Sequence, residues 1–236
     1  NVASYGQGVQ AAGVLNLVTG SASTVGDPLV EDDRIAAISF TGSGEVGRKL
    51  SVTAAKRGAK IQLELGGQNP AIVLADADMN HALQHVMTGA MWSSGQKCTA
   101  TSRAIVHRSI VDEFTSKLLD KVKGLKVGNP LDESTPLGPV ISAEAADNVV
   151  AGANKAQKAG SELLAGGVRL TDDGRENGFF VAPTLFANVD PASHLGQEEI
   201  FGPIMGVIPV DDMDQAIEIA NSVKYGLSAS IFTRDL

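Results

Sequence analysis

Apolar and polar positions along this chain switch repeatedly between a period of two and a period of about 3.6. Residues 35–40 form a short apolar run that predicts a buried strand, and residues 46–57 follow at helical spacing. Ile61, Leu63 and Leu65 alternate with Gln62 and Glu64, so the apolar set faces a core and Glu64 faces the other way, toward a cleft. Residues 71–75 read as another strand. Asp76 and Asp78 then offer capping oxygens to a helix over 79–92. A strand over 102–107 leads to an amphipathic helix over 110–125, with Val111, Phe114, Leu118 and Val122 on one stripe. A turn-rich stretch, 128–139, precedes a helix over 143–159 ended by Gly160. Residues 179–186, 204–210 and 228–233 read as strands, with a helix over 214–223. Strand and helix alternate almost throughout, which predicts an α/β fold with an open, largely parallel sheet. The glycine pair Gly66-Gly67, just after a strand, is the natural boundary between residues 1–66 and 67–236.

Composition narrows the function. The 236 residues are 43% hydrophobic, enough for a real core, and carry 27 acidic against 19 basic side chains. No Lys/Arg-rich run appears, which argues against nucleic acid or an acidic membrane surface as partner. No stretch reaches the ~18–20 apolar residues of a membrane helix, and no signal-peptide layout is seen. A single cysteine excludes an internal disulfide framework and fits a reducing, cytoplasmic compartment. The chain starts without Met and stops just after a strand, as a piece of a longer protein would.

That cysteine, Cys98, lies in Gly95-Gln96-Lys97-Cys98-Thr99-Ala100, and Glu64 lies 34 residues upstream in Leu63-Glu64-Leu65-Gly66-Gly67-Gln68-Asn69-Pro70. A lone thiol is either inert filler or a nucleophile, and a carboxylate beside two glycines is the kind of group that could serve it as base. Thr41-Gly42-Ser43-Gly44-Glu45-Val46-Gly47 fits G-x-G-x-x-G between a strand and a helix, the setting in which free helix N–H groups receive a pyrophosphate. Glu64 falls 20 residues past Gly44, where the conventional fingerprint places a ribose-binding acid. Residues alone leave Glu64 open between ribose ligand and base. His81 and His85 stand at i, i+4, but lack the Glu of a zinc-protease helix and a third ligand, so a solvated helix face is favoured and no metal is expected. A thiol hydrolase pairing Cys98 with His107 is the enzyme rival, and a nucleotide-binding fragment without activity of its own is the non-enzyme rival.

Six strings in order resemble the NAD(P)-dependent aldehyde dehydrogenase superfamily. Gly13-Val14-Leu15-Asn16-Leu17-Val18-Thr19-Gly20 resembles GVxNVVTG, and Phe40 through Gly47 resembles FTGSTEVG with Gly44 where Thr is usual. Leu63 through Pro70 resembles LELGGKxP with Gln68 in place of Lys, and Gly95 through Ala100 resembles GQxCxA. Glu198-Glu199-Ile200-Phe201-Gly202-Pro203 resembles EEIFGP, and the segment reaching Tyr225-Gly226-Leu227 resembles ANxxxYGL.

The resemblance implies Cys98 as nucleophile and Glu64 as base rather than ribose acid. It implies NAD or NADP as cofactor, contacted by Gly42, Ser43, Gly44, Gly47, Leu65, Glu199 and Phe201. It makes residues 1–66 the later part of a Rossmann-like cofactor domain and 67–236 an incomplete catalytic domain. The adenine-ribose ligands and an oxyanion-hole Asn are then expected upstream of Asn1. It also implies a small aldehyde as substrate, 2-oxoglutarate semialdehyde being the nearest resemblance, and a homo-oligomer, dimer or tetramer.

Overall fold

A computed structural model of the chain describes residues 13–235. The first twelve residues of the expected cofactor segment, and Leu236 at the end of the expected catalytic segment, lie outside it. Its contacts divide the chain between Leu65 and Gly66 into two compact units.

In the first unit a short helix, α1 (Asp27–Glu31), precedes β1 (Ala37–Thr41), α2 (Gly44–Lys56) and β2 (Lys60–Glu64). The strands pair in parallel, from Ala37 opposite Lys60 to Thr41 opposite Glu64, so β1-α2-β2 is one crossover unit. Ser43 begins α2 with its Oγ accepting from the Val46 amide at 3.3 Å. At the other end of α2, Arg57 donates to the Val30 and Ile35 carbonyls at 2.9 and 2.7 Å, tying the helix end to α1 and β1. The sequence predicts a buried first strand; in the structure β1 alternates exposed and half-buried residues, as does β2. Within this unit two strands and a helix cannot enclose both faces of a sheet, so only the period of two survives.

The second unit holds a six-stranded sheet in the order β5-β6-β7-β4-β3-β8. Its strands are β3 (Asn69–Val73), β4 (Thr101–His107), β5 (Glu162–Ala165), β6 (Thr184–Ala187), β7 (Ile204–Val210) and β8 (Ser230–Phe232). Every pairing is parallel except β5 with β6. The longer helices are α3 (Met79–Met91), α4 (Val111–Lys123), α5 (Ala143–Lys158) and α7 (Met213–Asn221), with one turn of helix, α6 (His194–Gln197), between β6 and β7. Alternate residues of the central strands feed opposite layers. Ala71, Val73, Ala104, Val106, Met205 and Val207 pack with α3 and α4, where Phe114 and Leu118 are wholly buried. Ile204 and Ile208 pack with Val149 and Ala153 of α5, and Ile72 and Ile105 with Ala216 of α7. Helices thus cover both faces, the condition for a parallel sheet. Each fully buried Phe or Leu on the α4 stripe contributes on the order of 1.5–3 kcal/mol.

Two expectations change, and two elements are new. The strand expected over 179–186 reduces to β6, because Pro183 brings no amide to the ladder. Residues before it make only an isolated bridge, Val181 with Arg169. The short strand β5 and the single turn α6 carry too few residues to show a period. The C-terminal strand is trimmed to three residues at the sheet edge.

Candidate active site

Cys98 lies on the turn that joins α3 to β4, and it is exposed. The turn is unusual in its backbone. Ser93, Ser94 and Gly95 take φ of 57°, 54° and 66° in succession, a left-handed run that costs roughly 1–3 kcal/mol for each non-glycine residue. The surroundings hold it there. Ser94 Oγ donates to the Gly138 carbonyl at 2.9 Å, and Gln96 Oε1 accepts from the Ile141 amide at 2.9 Å. At Gly95 a Cβ would overlap the Gly202 carbonyl, so this position requires glycine for space as well as for φ. The GQKCTA string therefore sits backbone to backbone against the EEIFGP string. Gln96 Nε2 also reaches the Phe201 carbonyl at 3.4 Å.

Glu199 is half-buried beside this contact, and its Oε1 accepts from the Gly67 amide at 3.1 Å. Burial raises its carboxyl above the ordinary value, and the Gly67 N–H offsets that in part. Its neighbour Glu198 is held the other way: Lys224 Nζ donates at 2.7 and 2.8 Å and Tyr225 Oη at 3.1 Å, which lowers its pKa. Phe201 has a φ of 58° and is 43% exposed, so it is not a core aromatic. A small cavity of about 10 Å³ lies beneath, lined by Gln68, Lys97, Ser102, Glu198, Glu199 and Phe201 among others. Four of the sequence strings thus converge within the second unit: the Gly66-Gly67 end of the glutamate string, the cysteine string, EEIFGP, and the Tyr225 string.

Arg103, next on β4, is wholly buried and has no carboxylate partner among the described residues. Its guanidinium donates to the Gln68 carbonyl at 3.1 and 2.7 Å and to the Ile219 and Ala220 carbonyls at 2.9 and 3.0 Å. Desolvation lowers its pKa to about 10, still well above neutrality, so the charge remains. It pins the start of β3 to the C-terminal end of α7, where carbonyl dipoles favour a cation.

The other candidate residues lie in the first unit. Glu64 ends β2, exposed, with its carbonyl accepting from the Gly42 amide at 3.0 Å. Gly42 and Ser43 form the turn into α2, and Gly44 opens the helix, whose first amides have no intrahelical acceptor. A Cβ on Gly47 would stand 2.6 Å from the Leu65 side chain, so this glycine sets close packing of α2 on the residue after β2. Within the first unit the amides of Gly44 and Glu45 suit a pyrophosphate, and within the second the half-buried Glu199 carboxylate suits a ribose diol; each unit by itself offers groups that fit part of a nicotinamide dinucleotide.

Residues 8–236 match the model of the aldehyde dehydrogenase family. The chain belongs to the aldehyde dehydrogenase family. It is 48% identical over 225 residues to the alpha-ketoglutaric semialdehyde dehydrogenase of Bacillus subtilis, covering 95% of this chain and 46% of that protein. Among solved structures it is similar to HpcC from Thermus thermophilus, with TM-score 0.91 and 35% identity over 93% of this chain and 43% of that one. It is also similar to betaine aldehyde dehydrogenase from Staphylococcus aureus in complex with NAD+, with TM-score 0.90 and 37% identity over 92% and 44%. The chain spans about half the length of the curated relatives it matches.

Within this member of the family, sequence reasoning passed over Gln96, Arg103 and Asn69. All three act through hydrogen bonds to backbone groups far along the chain, which no spacing reports. His107, the rival partner of Cys98, caps the far end of β4. Six residue steps of strand separate it from Thr101, roughly 20 Å, and its Nδ1 is engaged with Ser109 Oγ at 2.8 Å. It cannot reach the thiol. His81 and His85 are exposed with ring centroids 4.3 Å apart, and no group of three or more metal-ligating side chains occurs among the described residues.

Proposed function

We propose that the protein oxidises an aldehyde to a carboxylic acid with NAD+ or NADP+, using Cys98 as nucleophile and Glu64 as general base. The observation that carries this reading is the exposed thiol on a strained turn, built against the segment that bears Glu199 and Phe201. The Cys98 thiolate adds to the aldehyde carbon, and the resulting alkoxide accepts a hydrogen bond from the Cys98 amide. NAD(P)+, when bound, would supply the two-electron oxidation of this thiohemiacetal to a thioester by accepting its hydride. Glu64 then takes a proton from the water that attacks the thioester, releasing the acid and returning the thiol. Gly42, Ser43, Gly44 and Gly47 shape the helix end that receives the pyrophosphate, with Leu65 packed beside it. Glu199 would accept from the nicotinamide ribose hydroxyls, and Phe201 would pack the ring.

The similarity to the Bacillus subtilis enzyme supports a semialdehyde, 2-oxoglutarate semialdehyde first, as substrate. A free, exposed thiol supports a cytoplasmic setting, and we assign a homo-oligomer, dimer or tetramer, on the family resemblance. The test follows reduced-nicotinamide absorbance in the complete protein, offered NAD+ or NADP+ with a panel of aldehydes and semialdehydes. A rise with one pair names cofactor and substrate class together. No rise with any pair, from folded protein, overturns the reading.

Glu199 adds a pH dependence. Only its ionised form accepts two ribose hydroxyls, and burial shifts its titration upward. Cofactor affinity is therefore expected to weaken on acidification at a higher pH than an ordinary glutamate would give. Glu199→Gln is expected to lower affinity roughly 10–100-fold, as for a lost charge-assisted hydrogen bond, and to flatten that limb. Titration calorimetry with NAD+ across mildly acid pH checks both, and an unchanged limb in the variant assigns the pH dependence elsewhere.

A further inference from the structure

We propose that Asn69 is a positioning residue for the Cys98 nucleophile, an inference that rests on the function proposed above. Asn69 opens β3 and is 4% exposed. Its Nδ2 donates to the Cys98 carbonyl at 2.8 Å and to the Ala100 carbonyl at 2.9 Å. Its Oδ1 accepts from the Ser228 amide at 3.1 Å. A primary amide has two N–H donors and one acceptor oxygen, and here each finds a separate backbone partner. The three partners stand 29, 31 and 159 positions away in sequence.

Nothing local could replace this clamp. The peptide plane between Cys98 and Thr99 is fixed through its carbonyl, and the Ala100 carbonyl two residues on is fixed by the same nitrogen. Rotation of the turn that carries the thiol would break both bonds together. The clamp is itself braced. A Cβ on Gly67 would stand 2.7 Å from the Cys98 carbonyl, so the glycine allows the turn and Asn69 to close on each other. The β3–β4 register shifts between Asn69 and Pro70, from Thr101 to Arg103, leaving Ser102 with no residue opposite. Asn69 thus works at an irregular strand end, where a side chain is re-aimed out of the ladder.

The chemistry makes a sharp comparison possible. Asn69→Asp keeps the shape but sets a carboxylate oxygen against two carbonyl oxygens, reversing the donor while leaving volume unchanged. Asn69→Ala removes the clamp outright. The folded fraction of each variant, read from its unfolding transition, gives the number of competent molecules. Two readouts are taken on the complete protein: kcat per folded molecule with KM, and hydrogen exchange in the peptide spanning residues 96–101.

Both variants are expected to exchange faster in that peptide and to lose about 10–100-fold in kcat with KM for the aldehyde within about twofold. A structural role alone would lower the folded fraction and leave kcat per folded molecule at the parental value, which overturns the proposal. Unchanged exchange at 96–101 overturns it as well. Should the parent oxidise no aldehyde, the proposed function fails by itself, and exchange still decides whether Asn69 holds the turn.

Discussion

Cys98→Ala in the complete protein is expected to abolish aldehyde oxidation, by at least about 10,000-fold in kcat, the scale on which removal of a covalent nucleophile acts. The fold should be unaffected. Cys98 is exposed, its side chain fills no core position, and what the turn requires of this residue is its carbonyl, received by Asn69. Melting temperature within a degree or two of the parent, with cofactor affinity retained, would attribute the loss to chemistry. Turnover retained in the variant would remove Cys98 from the mechanism.

Glu64→Gln is expected to separate the two halves of the reaction. General base catalysis contributes about 100–10,000-fold, and the base is needed only when water attacks the thioester. The variant should therefore release a burst of reduced nicotinamide, one equivalent per Cys98, and then turn over slower by about that factor. The exposed carboxylate at the end of β2 has no ion-pair partner among the described residues, so stability should change by less than about 0.5 kcal/mol. Rapid-mixing absorbance checks the burst. A normal steady-state rate with weakened cofactor binding would instead make Glu64 a ribose ligand, the role that its distance from Gly44 first allowed.

The elements legible in the sequence were those whose burial follows a simple period. The α4 stripe of Phe114, Leu118 and Val122 is buried as its spacing requires, and Asp78 caps α3 through the His81 amide. Runs such as Ala71 to Val73 and Ala104 to Val106 alternate between two core layers, so they read as strands in either layer. Periodicity failed at Pro183, where an apolar string lacks one amide. It failed again at Arg103, a charge that would be read as exposed from sequence yet lies wholly inside. Its acceptors are carbonyls, and carbonyls carry no side-chain signature. The same holds for Asn69 and Gln96. Glu199 and Phe201 were legible only through the family's strings, since taken alone they read as a surface acid and a core aromatic. The structure gives a half-buried acid and a largely open aromatic.

The left-handed run at Ser93, Ser94 and Gly95 sets an order of events during synthesis. It is held in part by the Gly202 backbone, which emerges from the ribosome about a hundred residues after Cys98. At typical elongation rates that interval is roughly 5–20 s. Through it the turn has the contacts of Asn69, Gly138 and Ile141 but lacks the backbone wall that Gly202 supplies. Only when the Gly202 segment arrives and β7 pairs with β4 does the wall behind the turn exist. The nascent protein thus carries the Cys98 turn without its last support until most of the parallel sheet is made.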